Sequence, residues 1–267
     1  MSTSIDLFRL KKNANQKISM LTCYDYWSAK IIANSNVDCI LVGDSSAMVM
    51  HGFKHTLFAN TEMLVAHVSA VARGTQNKFI VADMPFCSYR KSQAQTVEEA
   101  QALIQAGAQA VKLEGTVGHL DIISHLVHSG IPVMGHIGLM AQSINTLGGY
   151  KVQGREPKQA KFIQQQALEL QQAGAFALVL ECIPTKLAHT ITKQLNIATI
   201  GIGAGPYTDG QVLVLHDMLG LNSDFNPKFV KHYLKGYELI QSAINSFHQD
   251  VINSTFPDVE HHSFMEK

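Results

Sequence analysis

The chain has 267 residues, 46% of them hydrophobic, and its 21 Lys plus Arg balance 21 Asp plus Glu to a formal net charge of zero. Lys11-Lys12 is the densest basic cluster, which argues against a nucleic-acid partner, since that needs a clustered basic excess. No window approaches the roughly eighteen apolar residues of a membrane helix. The N-terminal MSTSIDLFRLKKNANQK carries no apolar stretch of signal-peptide length, so a cytoplasmic protein without membrane contact is expected.

Short, β-branched apolar runs alternate with segments of helical periodicity. The first two runs are Ile18–Cys23 and Cys39–Val42. A helix is predicted over Thr61–Arg73, with Leu64, Val65, Val68 and Val71 on one face and Gly74 as its stop. After the run Phe79–Ala82, the spacing of Thr96 and Glu99 predicts a helix start ahead of Ala100, Leu103 and Ile104, closed by Gly107. The run Ala110–Leu113 precedes a predicted helix carrying His119, His125 and His128, for which a solvated face is the expected setting. Then come Pro132–Gly135, a helix over Glu156–Ala173 closed by Gly174, and the run Ala177–Leu180. Pro184 opens a helix to about Leu195, followed by Ala198–Gly201 and a weaker run, Val212–Leu215. A long helix is expected after Pro227, with Phe229, Val230, Tyr233, Leu234, Tyr237 and Ile240 on one side, and beyond Thr255 a polar, irregular tail.

None of these strands alternates polar with apolar, so the sheet is expected to be covered on both faces. Eight strands alternating with helices predict an α/β protein, a (β/α)8 TIM barrel, with a doubly wound open sheet as the competing architecture. No linker or composition break interrupts the chain. The expectation is one barrel domain over residues 1–267, with a short N-terminal extension and an irregular C-terminal tail.

Chemistry is concentrated where the strands end, which in barrels is the catalytic face. Asp25 follows the first run, Asp44-Ser45 the second, Asp83 the third, Glu114 the fourth, His136 the fifth, Glu181 the sixth and His216-Asp217 the eighth. Each acid alone reads equally as a helix N-cap, Asp44 above all. Together, Asp44, Asp83 and Glu114 would crowd like charges into one mouth, a conflict that a divalent cation relieves. Oxygen donors favour Mg2+ or Mn2+ over zinc. Lys112, two residues before Glu114, shares its face of the strand and suits an anionic substrate such as a carboxylate, or else pairs structurally with Glu114 or Asp83. Gly201-Ile-Gly-Ala-Gly205 is no dinucleotide fingerprint; a phosphate loop and a tight packing turn both fit it. Cys23, Cys39, Cys87 and Cys182 form no CxxC pair, and buried reduced thiols are expected rather than a nucleophile or zinc ligands.

These residues lie in segments that resemble the ketopantoate hydroxymethyltransferase family. The matching stretches are Thr22–Tyr26, Leu41–Ser45, Ala82–Phe86, Val111–Gly115, Gly135–Leu139, Gly148–Arg155, Val179–Cys182, Gly201–Gly205 and Asp209–Gln211, essentially the whole chain in order. The resemblance implies a barrel of the phosphoenolpyruvate/pyruvate type in a large homo-oligomer, a decamer. It implies hydroxymethyl transfer from methylenetetrahydrofolate to α-ketoisovalerate (3-methyl-2-oxobutanoate), through a metal-stabilised enolate, to give ketopantoate for pantothenate biosynthesis. Asp44, Asp83 and Glu114 would then hold Mg2+ or Mn2+, Glu114 through water; Asp44, Ser45, Asp83 and Lys112 would bind the keto acid; Glu181 would be the base, with His136 assisting. Ser46-Ala47-Met48 and Lys54-His55-Thr56-Leu57-Phe58-Ala59 depart from the family's usual run after the second strand. The alternative reading is a metal-dependent carbon–carbon lyase or mutase on the same type of barrel.

Overall fold

The computed structural model of the chain describes residues 4–222 and 227–264. Eight parallel strands close in sequence order: β1 (Ile18–Thr22), β2 (Cys39–Val42), β3 (Phe79–Asp83), β4 (Ala110–Glu114), β5 (Val133–Gly138), β6 (Ala177–Glu181), β7 (Ala198–Ile202) and β8 (Gly210–Leu213). Closure comes from β1 pairing with β8, Met20 opposite Val212, so no edge is left open. The helices are α1 (Asp6–Asn13), α2 (Tyr26–Ala33), α3 (Ser46–Val49), α4 (Thr61–Gly74), α5 (Gln93–Gln105), α6 (Leu120–His128), α7 (Ile144–Leu147), α8 (Pro157–Gln172), α9 (Thr185–Gln194), α10 (Leu215–Met218) and α11 (Gly236–Ile252). The (β/α)8 barrel is thus the fold, not the open sheet. Among the described residues no helix is long and apolar enough to cross a membrane.

Internal contacts divide the chain into two compact units, Met1–Leu215 and His216–Lys267. The first holds the barrel. Its interior is one buried cluster that includes Ile18, Met20, Cys39, Leu41, Phe79, Val81, Ala110, Met134, Ala177, Val179, Ala198, Ile200 and Val212. The N-terminal segment joins this core: Phe8 of α1 is fully buried, with ring centroids 5.7 Å from Phe79 and 5.0 Å from Phe176. Burying such a ring contributes about 1.5–3 kcal/mol.

Local departures from the sequence reading have identifiable causes. The helix α5 starts at Gln93, because Ser92 caps it by accepting from Gln95 N–H, and Thr96 lies inside, donating to the Ser92 carbonyl at 2.8 Å. Strand β8 is Gly210–Leu213 rather than Val212–Leu215, so His216 and Asp217 sit on α10 and not at a strand end. In the second unit, 227–235 is not helical. Its backbone is tied to the preceding segment, Tyr233 N–H to the Met218 carbonyl at 2.8 Å and Gly236 N–H to that of Leu219 at 2.9 Å, and α11 begins only at Gly236. The tail beyond Thr255 is irregular to residue 264; residues 1–3 and 265–267, the ends of the expected extension and tail, lie outside the described residues.

Candidate active site

Side chains alternate along a strand, so residues two apart share a face. Phe79 and Val81 point into the barrel core, and the same period brings Asp83 inward at the tip of β3. Likewise Ala110 leads to Lys112 and Glu114, Met134 to His136, and Ala177 and Val179 to Glu181. The interior that is apolar below therefore becomes ionic at its C-terminal mouth. His136 lies within β5, opposite Glu114 in register, instead of following the strand.

The contacts form one chain. Lys112 Nζ is 2.9 Å from Asp83 Oδ1 and 3.2 Å from His136 Nδ1. His136 Nδ1 is 3.3 Å from Glu114 Oε1, and its Nε2 is 3.1 Å from Glu181 Oε2. Asp44 N–H donates to Asp83 Oδ2 at 3.0 Å. Gly43 permits that approach: a Cβ there would lie 2.8 Å from Ser45 Oγ and 3.3 Å from Asp83 Oδ2. Gly138, at φ +98°, is needed at the end of β5, where a Cβ would come 2.2 Å from the Glu181 carbonyl oxygen. Asp44 is not a helix cap, since α3 begins after Ser45, whereas Asp25 is one, accepting from Ser28 N–H at 2.9 Å. Ser45 Oγ lies 2.8 Å from the hydroxyl of buried Tyr24.

Exposure separates the acids. The side chains of Asp83 and Glu114 are 3% exposed, that of Glu181 20%, so Glu181 is the one open to an incoming molecule. Burial, then the charges of Asp83 and Glu114, hold the Asp44 carboxyl well above its usual range. Burial also works against Glu114, but its hydrogen bond to His136, the Lys112 charge and the Gln142 N–H keep its carboxyl below the usual range. Lys112 is buried, yet Asp83, Glu114 and Asp44 raise its ammonium well above the ordinary value. For His136, burial and Lys112 oppose the charge, while Glu114 and Glu181 outweigh them and lift the imidazole to about 9.

A histidine raised from 6.5 to about 9 on folding contributes stability fully below pH 6.5, and the contribution is lost as pH rises through 9. The metal-free protein is therefore expected to lose melting temperature between those values, and His136→Gln to flatten that loss. Thermal unfolding against pH checks it; an unchanged slope in the variant would remove His136 as the cause.

Four residues of the mouth carried no legible role in the sequence: Tyr24, Tyr89, Gln142 and Tyr150. Gln142, buried in the 3-10 turn Ala141–Ser143, donates from Nε2 to Asp44 Oδ2 and to the Met84 carbonyl, both at 2.9 Å. Tyr150 is half exposed, with its hydroxyl 3.8 Å from Met48 Sδ; burial and the charges of Glu181, Asp44 and Glu114 raise its phenol. Met48 belongs to the divergent segment after β2, where Phe53 and Phe58 stack at 5.0 Å and His51 Nε2 meets His67 Nε2 at 2.9 Å.

Other expectations resolve away from chemistry. His125 and His128 are exposed, but His119 is buried just ahead of α6, its Nδ1 3.0 Å from the Val117 carbonyl, with burial lowering its pKa. The glycine run is a packing turn: a Cβ at Gly201 would lie 2.7 Å from Thr208 Oγ1, and one at Gly205 2.5 Å from Thr185 Oγ1. All four cysteines are free; Cys23 and Cys39 are buried, Cys87 and Cys182 only half-buried. Burial and the adjacent Glu181 push the Cys182 thiol up to about 12, which disfavours a thiolate there. Among the described residues, no three His, Cys, Asp or Glu side chains gather into a ready metal cage.

The fold and its acid-lined mouth define a barrel enzyme, and comparison with known proteins narrows the class. Phosphoenolpyruvate phosphomutase from Streptomyces platensis subsp. rosaceus superposes with a TM-score of 0.64 over 98% of this chain and 92% of its own, at 12% identity. A 2,3-dimethylmalate lyase of the PEP mutase/isocitrate lyase superfamily gives 0.61 over 99% and 93%, at 13% identity. Such low identities speak for the barrel alone and give the lyase or mutase alternative no support beyond shared fold. The sequence model of ketopantoate hydroxymethyltransferase matches residues 2–259, and the chain belongs to that family. Proteins named 3-methyl-2-oxobutanoate hydroxymethyltransferase are 57% identical in Coxiella burnetii, over 97% of both chains, and 56% identical in Bdellovibrio bacteriovorus, over 96% of this chain and 97% of that one.

Proposed function

We propose that this hydroxymethyltransferase forms ketopantoate at the barrel mouth by deprotonating C3 of 3-methyl-2-oxobutanoate and adding a one-carbon unit from methylenetetrahydrofolate. The observation that carries the reading is Glu181, the more exposed carboxylate, held at 3.1 Å by His136 above the buried acids. Its family and the names of its relatives supply the reaction.

The donor set suits a hard divalent cation. Asp83 Oδ2 accepts from the Asp44 N–H, and burial with the charges of Asp83 and Glu114 raises the Asp44 carboxyl, a conflict that a cation there would relieve. Two carboxylates without a closed cage leave positions for water and substrate oxygens, which is how Mg2+ is commonly held. Asp44 and Asp83 would hold Mg2+ or Mn2+ directly, and Glu114, already engaged by His136 and Gln142, through water. When bound, the ion would polarise the ketone and acidify the neighbouring C3–H.

The chain's own groups do the rest. Ser45, steadied by Tyr24, and Lys112 bind the keto acid's anionic end, and Lys112 offsets the negative charge that develops. Glu181 accepts the C3 proton and becomes neutral, while His136, 3.1 Å away, fixes the orientation of its carboxyl group. The deprotonated carbon forms a bond to the folate's methylene carbon, the carbon–nitrogen bonds to the folate break, and water supplies the hydroxyl oxygen, leaving tetrahydrofolate and ketopantoate. Assembly into a large homo-oligomer fits this reading of the family. Purified protein with Mg2+, 3-methyl-2-oxobutanoate and methylenetetrahydrofolate is expected to yield ketopantoate by mass spectrometry. No product at any Mg2+ concentration would sink the proposal.

A further inference from the structure

We infer that Gln142 is a positioning residue of this site, whose amide sets the distance and orientation of Asp44 relative to Glu114 so that the cation and keto acid meet a preformed set of donors. The inference rests on the cation-site reading above and deepens it.

Gln142 reaches the site from the turn after β5, with 4% of its surface exposed. Every polar group it owns, apart from its carbonyl, is committed. One amide hydrogen goes to Asp44 Oδ2 and one to the Met84 carbonyl, each at 2.9 Å. Its Oε1 accepts from the Tyr89 hydroxyl at 2.8 Å, and its backbone N–H donates to Glu114 Oε2 at 3.1 Å. The partners come from the ends of β2, β3 and β4 and from the loop after β3, so one residue ties four segments of the mouth together.

The amide has only one workable orientation. Turned over, its oxygen would face a carboxylate and a carbonyl, while its NH2 would face the hydroxyl. The acceptor-only oxygens of Asp44 and Met84 fix that choice; the hydroxyl of Tyr89, 1% exposed, completes it and also lies 3.4 Å from Glu114 N, closing a relay from Glu114 through Tyr89 and Gln142 to Asp44. Hydrogen bonds onto a charged oxygen are stronger than neutral ones, and a fully satisfied buried network is rigid. Two acids that repel each other are thereby held at a fixed separation by a neutral group. Groups that orient metal ligands typically govern about 10–100-fold in metal affinity.

The test is Mn2+ binding followed by electron paramagnetic resonance on the full chain, together with kcat and KM for the keto acid. Gln142→Met, similar in length but without donors, is expected to raise the Mn2+ Kd by about 10–100-fold and to raise the keto-acid KM. At saturating Mn2+ and keto acid, kcat should return to within a few-fold of wild type, which loss of folded protein would not allow. Gln142→Glu, placing an acceptor against Asp44, is expected to do more harm than Met. Should Gln142→Met not fold, Tyr89→Phe, which frees Oε1 and the Glu114 N–H but leaves both amide hydrogen bonds of Gln142 in place, is expected to weaken Mn2+ in the same direction by several-fold. A Gln142→Met protein that binds Mn2+ within two-fold of wild type, while Asp44→Ala has lost binding, overturns the inference and leaves the cation site standing. Undiminished Mn2+ binding by Asp44→Ala overturns the cation site itself, and this inference with it.

Discussion

Replacing Glu181 with Gln is expected to slow hydrogen–deuterium exchange at C3 of 3-methyl-2-oxobutanoate by about 10²–10⁴-fold, the usual contribution of a positioned base. Gln has the shape of Glu, and its amide oxygen can keep the carboxylate's place 3.1 Å from His136 Nε2. The scaffold of Asp44, Asp83 and Lys112 does not involve Glu181 directly, so Mn2+ and keto-acid affinities should stay within a few-fold of wild type. Exchange needs no folate, so this measurement isolates proton removal from carbon–carbon bond formation. Exchange at the wild-type rate in the variant would mean that some other group takes the proton.

Lys112→Met should give the largest change in stability. The ammonium is 5% exposed and touches Asp83 at 2.9 Å, with Glu114 and Asp44 adding to its field. Removing one partner of a buried ion pair typically costs about 3–5 kcal/mol, because the other charge stays behind unpaired. The loss should be greatest in metal-free protein and partly reversed by Mn2+, which would neutralise the same carboxylates. Asp83→Asn added to Lys112→Met is expected to recover stability, a non-additive result typical of contacting groups. Urea unfolding of the two variants with and without Mn2+ checks the sequence of effects. If Lys112→Met unfolds like wild type, this cation is not what compensates the buried acids. Keto-acid KM should also rise in Lys112→Met, reporting the lost anion contact separately from folding.

Much of this arrangement was legible in the sequence because parallel barrel strands are buried on both sides and read as plain apolar runs. The charged residue ending such a run then marks the mouth, which is how Asp83, Glu114 and Glu181 stood out. The same logic blurred where a strand carries polar residues. His136, between Gly135 and Gly138, looked like a terminator, although β5 continues through it to pair with both β4 and β6. Gly210-Gln211 begins β8 without any apolar signature, which shifted that strand by two residues. Gln142 and Tyr89 left no periodic trace, for their partners are 98 and 53 residues apart along the chain and meet only once the barrel closes.

Closure itself has a consequence for how the protein is made. Strand β1 ends at Thr22, but its second neighbour, β8, is not complete until Leu213. At a synthesis rate of ~5–20 residues per second, the first strand waits roughly ten to forty seconds with one edge unpaired. An exposed apolar edge is a template for wrong pairing, so this interval, more than the finished fold, is where the chain is open to aggregation and to chaperone capture. Stalled nascent chains ending before β8 should be cut readily by protease, whereas those whose β8 has cleared the ribosome should resist. Equal resistance in both would mean that the barrel holds together before its last strand arrives.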